Sequence, residues 1–208
     1  FSSGNNHRIA ELAGLAVIEA LAPELPRANP QKVAHELLRH IRSLTHEDGV
    51  YVEQSLHYQG TIMEWLILVK KIVPSRSIYF PIESILGYLT THMLSMLGTE
   101  GTAPMIGDVD DSYLLPCMGQ SSYLSSVAQS VAAELDMSVP FKPNIDLRSE
   151  LLGTGVPDYQ PTTSLKTSFP DGGMSQIIHE DVRLIIDHGP LGYDRMAAHA
   201  HADTLSLW

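Results

Sequence analysis

The 208-residue chain has a single cysteine, Cys117, so no disulfide can form within it. A disulfide-free fold is compatible with the cytoplasm and the periplasm alike. It also has no long apolar run. The best stretch, Ile62 to Val73, is broken by Glu64, Lys70 and Lys71, well short of the ~20 apolar residues that span a bilayer. No membrane insertion is expected. Bases are scarce as well: Lys and Arg number 13 against 24 Asp and Glu, for a net charge of -11. Sequence-independent binding to nucleic acid needs clustered cations and is therefore not expected. An acidic glycan stays open as a partner, because a cleft can be positive on an acidic protein. With 44% hydrophobic residues the chain can bury a real core, which excludes wholesale disorder. It starts on Phe-Ser-Ser-Gly without Met and stops on Leu-Ser-Leu-Trp, and the expectation is a fragment of something longer.

The first two thirds carry helical periodicity. Ile9, Leu12, Ala13, Ala16 and Ala20 form one apolar face between Asn6 and Leu21, ended by Pro23 and Pro26. Further helices are predicted over about Gln31 to Leu44, Glu53 to Val73, Ile82 to Leu97 and Ser121 to Leu135. Helices of this length joined by Pro- and Gly-bearing turns read as helical hairpins stacked side by side. Residues 138 to 172 are richer in Pro and Gly and read as a linker. Short strand-like runs follow at Ser164 to Phe169, Met174 to His179 and Asp181 to Asp187, with Asp171-Gly172 as a hairpin signal. The expected fold class is α + β, with a helical domain at 1–150 and an antiparallel β domain at 151–208.

The sharpest local pattern is His199-Ala200-His201-Ala202-Asp203. On a strand, His199, His201 and Asp203 would share one face, with the alanines opposite. Two imidazoles and a carboxylate there suit a divalent transition metal, or a metal ligand beside a catalytic base. The plainer reading is a structural histidine oriented by Asp203. Asn5-Asn6-His7 stands at the mouth of the first helix, where Asn is a natural N-cap. Helix-terminal amides, an Asn side chain and an imidazole can also form a corner that binds a carboxylate. The stretch from Asp48 to Tyr58 opens the third predicted helix, with Gln54 and Tyr58 expected on one face. Tyr58 reads either as a rim tyrosine or as a proton donor or acceptor. Gly107-Asp108-Val109-Asp110-Asp111 lacks the Gly and the distal Glu of a calcium loop, so Asp110 or Asp111 is expected to cap a following helix. In Asp187-His188-Gly189-Pro190-Leu191-Gly192, turn chemistry accounts for the Gly and Pro.

Taken in order, Asn-Asn-His, Asp-Gly-x-x-x-Glu-Gln-Ser-x-x-Tyr, Gly-Asp-x-Asp-Asp, Asp-x-Gly-Pro-Leu-Gly and His-Ala-His-Ala-Asp-x-Leu-Ser resemble the motif succession of heparinase II/III-like polysaccharide lyases. The resemblance runs from Ser3 to Leu207. It implies the C-terminal part of an (α/α) toroid followed by the start of an antiparallel β-sandwich. It also implies β-elimination at a uronic acid within an acidic polysaccharide, in the periplasm or outside the cell. By the same resemblance Asn6 and His7 neutralise the uronate carboxylate, and Gln54 contributes to substrate binding. Tyr58 donates a proton to the departing O4 and serves, for syn elimination, as the base too; His199 is the alternative base. His201 matches a ligand of a structural zinc whose remaining ligands lie past Trp208. Gln59 after Tyr58, where characterised lyases often carry His, resembles the exopolysaccharide-cluster branch near the alginate lyases. Met174 after Asp171-Gly172-Gly173, with no Arg before Arg183, departs from the family's aromatic residue and Arg and argues against a substrate-binding part for this hairpin. A glycoside hydrolase using Glu53 and Asp108 as its acid/base pair and a non-catalytic glycan-binding protein are the alternatives.

Overall fold

A computed structural model describes residues 4–22, 24, 30–74, 76–110, 113–116, 122–161, 165–179, 182–190, 192–193, 199–200 and 206–207. Among them, six helices precede four strands: α1 (Asn6–Leu21), α2 (Pro30–Ser43), α3 (Leu56–Ile72), α4 (Arg76–Leu97), α5 (Tyr123–Glu134), α6 (Leu147–Leu152), β1 (Ser168–Phe169), β2 (Met174–His179), β3 (Val182–Asp187) and β4 (Ser206–Leu207). The fold is α + β. The strands form one antiparallel sheet in the order β1-β2-β3-β4.

Helix α3 is the hub, packing against α1, α4 and α5. Ile62, Met63, Leu66, Ile67 and Val69 are all buried, and they occupy more than one face. A helix that is apolar nearly all round must be enclosed by others. Polar residues inside this ring are paired. Glu64 and Arg148 form an ion pair at 2.6 Å with both side chains 1% exposed. Glu64 also accepts the Tyr123 hydroxyl at 3.0 Å and the N–H groups of Leu114 and Leu115. Arg148 donates to Ser126 Oγ and the Leu115 carbonyl. One buried network thus ties α3, α5 and α6 to the loop before α5.

The boundaries differ from expectation where capping overrides periodicity. Helix α3 starts at Leu56, three residues later than predicted, because Ser55 caps it: its Oγ accepts the Tyr58 N–H. Gln54, with φ of +50°, cannot continue a right-handed helix, so Gln54 and Tyr58 do not share a helical face. Helix α4 starts six residues before the predicted Ile82 and runs through Pro81. Ile78 and Ile82 are both buried, so core burial outweighs the ~3 kcal/mol that an interior proline costs. The expected linker holds α6, unpredicted, with an Asp146–Ser149 capping box and Gly153 in the left-handed region. Asp110 does not cap α5, which is capped by Ser122, and Asp111 lies outside the described residues. β1 is shorter than predicted. The strand expected to carry His199 is also corrected: His199 sits in a bend at φ of +70°, and β4 begins at Ser206.

The sheet docks on the helices through polar contacts. Arg183 on β3 donates to the carbonyls of Met96 (2.6 Å) and Ser95 (2.5 Å) at the end of α4. Those carbonyls have no partner within the helix, and a cation there also suits the helix dipole. At the hairpin, Asp48 Oδ2 accepts the N–H groups of Asp171 (2.8 Å) and Gly172 (3.0 Å). A Cβ on Gly172 would lie 2.2 Å from Val50 Cβ, so only glycine permits this approach.

Candidate active site

Where the sheet-bearing part of the chain meets the start of α3, the Tyr58 ring stacks on the His199 ring, with centroids 3.8 Å apart and planes at 26°. Tyr58 is placed by the first turn of α3 and its Ser55 cap. His199 is held from the side by Asp108: Nδ1 lies 3.1 Å from Asp108 Oδ2, and the His199 carbonyl accepts the Asp108 N–H at 2.8 Å. Asp108 is anchored in turn, its carbonyl accepting Ser55 Oγ–H at 2.7 Å. One serine therefore positions both rings.

Behind the pair lies Glu53, with 0% of its surface exposed. Its Oε1 accepts the Asn6 N–H at 3.4 Å. Burial pushes this carboxyl above the ordinary carboxylate range. The His199 charge, the Asn6 N–H and the side chains of Tyr51 and Asn5 pull the other way without cancelling it. Asn6 itself is 8% exposed, and its Oδ1 has no hydrogen-bond partner among the described residues. Asn5 is the N-cap of α1, its side chain accepting the His7 N–H at 3.3 Å. His7 is exposed on the first turn. The structure thus brings Tyr58 and His199 together, while Asn6 bonds to Glu53, whose charge is felt by both. His7 reaches the group only as the neighbour of Asn6.

The Tyr58 phenol is raised above its ordinary pKa. Burial is the main cause, and the negative charges of Asp110, Asp108 and Glu53 add to it. At neutral pH the hydroxyl keeps its proton. A cavity of about 360 Å³ has a wall that includes His57, Tyr113, Tyr123, Val109 and Asp110, and neither Tyr58 nor His199 lines it. The rings of His57 and Tyr123 are 4.7 Å apart, and those of Tyr113 and Tyr123 are 4.8 Å apart.

Gln54 is 3% exposed. Its Nε2 donates to the Gly172 carbonyl and Asp187 Oδ1, and its Oε1 accepts the Gly192 N–H. Its amide is thereby engaged in holding the hairpin and the turn after β3. His201 and Asp203 lie outside the described residues, and with them the expected zinc ligand. Among the described residues no cluster of three or more His, Cys, Asp or Glu could hold a metal ion.

Sequence reasoning missed two features. Asp108 was expected to be an acid or part of a capping motif, not the partner of His199. Nothing in the spacing of residues 91 positions apart signals that contact. Glu53 was read as the start of the third helix and as one of the acid/base pair of a hydrolase, whereas it lies before the Ser55 cap and is fully buried.

These features define an α + β protein whose candidate site is a tyrosine from the helices stacked on a histidine from the C-terminal segment. Residues 161–208 match the family model described as Heparinase II/III-like, C-terminal, and over that segment the chain is heparinase II/III-like. The match includes His199, while Asn6, His7, Gln54 and Tyr58 precede it. It suggests a polysaccharide lyase and a polysaccharide substrate. Comparison with curated proteins and with solved structures gave no match.

Proposed function

We propose that the protein cleaves a uronic-acid-containing acidic polysaccharide by β-elimination. The observation that carries this reading is the stacked pair: a phenol that keeps its proton, in contact with an imidazole tethered to a carboxylate. Elimination needs three things. The C5 proton must be taken, the charge that develops on the C6 carboxylate must be stabilised, and the departing O4 must be protonated. In this reading His199 takes the proton as the C5–H bond breaks and the C4=C5 double bond forms. Tyr58 gives its proton to O4 as the C4–O4 bond breaks. Asn6, through its side-chain N–H groups, and His7 at the α1 N-terminus stabilise the carboxylate. A raised phenol pKa keeps Tyr58 protonated, so in this reading His199, not Tyr58, is the base. Gln54 supports the site by holding the hairpin rather than by touching the sugar.

The rest of the reading follows the resemblance. The helices would form part of an (α/α) toroid and the sheet the start of a β-sandwich, divided near residue 150. The branch would be that of alginate-lyase-like, exopolysaccharide-cluster proteins, working in the periplasm or outside the cell. The glycoside hydrolase alternative is weakened by one observation: Glu53 has no exposed surface with which to meet a glycosidic oxygen.

The test is to incubate the full-length protein with alginate, heparan, hyaluronan and chondroitin and follow the ultraviolet absorbance of an unsaturated uronate. The expected result is a rise in absorbance with at least one substrate. New reducing ends without absorbance would mean hydrolysis. Glycan binding without either signal would mean a binding protein.

A further inference from the structure

The contact between Asp108 and His199 goes further than pairing two side chains. A neutral imidazole acts as a base only through the nitrogen that carries no proton, and in water histidine prefers to keep its proton on Nε2. Asp108 Oδ2, 3.1 Å from Nδ1, acts as an acceptor and so draws the proton to Nδ1, leaving the Nε2 lone pair free. The surroundings fix this arrangement. The Asp108 N–H donates to the His199 carbonyl, and the Asp108 carbonyl accepts from Ser55. Gly107 packs so closely that a Cβ there would lie 2.7 Å from the carbonyl oxygens of both Gln54 and His199. His199 adopts a left-handed backbone conformation, unfavourable for a residue with a Cβ and retained only where surrounding contacts over-determine it. Its ring is confined on one face by Tyr58 and along its edge by Asp108.

We propose that Asp108 is the positioning residue of the site, selecting the tautomer and orientation in which His199 can accept the C5 proton. The inference rests on the β-elimination reading for its kinetic consequence, but not for the tautomer itself. The test uses the full-length protein with ¹⁵N-labelled histidine. In the wild type the neutral form of the His199 ring should carry its proton on Nδ1 and none on Nε2. In Asp108→Ala the proton should move to Nε2, and kcat should fall by roughly 10–10²-fold with KM unchanged. Asp108→Asn keeps an acceptor oxygen without the charge and should recover part of both signals. Asp108 has a half-exposed side chain, and its backbone bonds to His199 and Ser55 are untouched by these substitutions, so the variants should fold. A neutral His199 ring with its proton on Nε2 in the wild type would overturn the proposal. So would an Asp108→Ala variant with unchanged tautomer and kcat, or one that raises KM alone and thereby shows a substrate contact. If no glycan yields an unsaturated product, the elimination reading fails, while the nitrogen signals still decide whether Asp108 sets the tautomer.

Discussion

Tyr58 loses only an oxygen in Tyr58→Phe, and its ring can still stack on His199. Glycan binding and thermal stability should stay near wild type, while turnover falls by about 10²–10⁴-fold, the usual contribution of a positioned proton donor. A variant with a substantial fraction of wild-type rate would remove Tyr58 from the role of acid. The direction of its pKa adds a second expectation. An acid works only while protonated, so the tyrosine should produce a loss of activity as pH rises through a value above the ordinary 10. Asp110 is the largest charge contribution to that shift. Asp110→Asn should therefore move the alkaline limb of the rate profile to lower pH, and an unmoved limb would count against the phenol as its source. Asn6→Ala and His7→Ala should each slow elimination on the order of 10²-fold. A methyl-esterified uronate, with no carboxylate charge to stabilise, should lessen that dependence; an equal loss on both substrates would leave Asn6 and His7 only a structural role in the first turn of α1. At this scale the sequence was readable where a residue's role is local. The Asn5 cap followed from its place before an apolar period. The Asp108–His199 contact did not, because it depends on how a loop after α4 meets a segment 91 residues further on.

The helices were legible in register and less so at their ends. An apolar period of three and four survives in sequence because it is repeated, so α1 and α2 appear almost where they were expected. The end of a helix depends on single residues: Ser55 shortens α3, and buried Ile78 extends α4 back across Pro81. The Asp171-Gly172 pair reads as a turn, which it is, and Asp48-Gly49 forms a first turn ahead of α3. That the first turn's carboxylate would accept the N–H groups of the second was not visible, since it links elements 123 residues apart. This contact is testable. Asp48→Ala leaves the Asp171 and Gly172 N–H groups without their acceptor; Gly172 is buried. Each buried N–H that loses its partner costs about 1–3 kcal/mol. Denaturant unfolding should show a loss of that order. Amide exchange should rise at the hairpin before it rises in α3, and uniform loosening of the whole chain would mean that Asp48 is not a specific tie for the hairpin.

Across the whole molecule, helices and sheet meet at His92. It lies on α4, shares a hydrogen bond with Gln59 Oε1 on α3 at 2.9 Å, and packs edge-on against Phe169 of β1 with centroids 4.7 Å apart. It is completely buried, and desolvation lowers its pKa to about 3, with Lys166 adding to the shift and Asp48 opposing it. Folding therefore requires the neutral imidazole. In the unfolded chain histidine takes up a proton below its ordinary value of about 6.5, whereas in the folded chain it does so only near 3. The unfolded state binds more protons throughout that interval, so stability rises with pH across it. The stability associated with His92 is present above about pH 6.5 and is lost on acidification toward 3, with a limiting slope of about 1.4 kcal/mol per pH unit. Carboxylates such as Glu134, held below the ordinary range by Lys70 and Lys71 against the opposing effect of burial, also weaken the fold in acid, so the informative quantity is a difference. His92→Gln retains an amide that can hydrogen-bond to Gln59 and removes the titration. Its unfolding free energy, measured by denaturant from pH 7 to pH 4, should start below that of wild type through altered packing and then fall less steeply. The two curves should converge as pH drops. Parallel curves would show that His92 is not the group through which acid loosens the junction of helices and sheet.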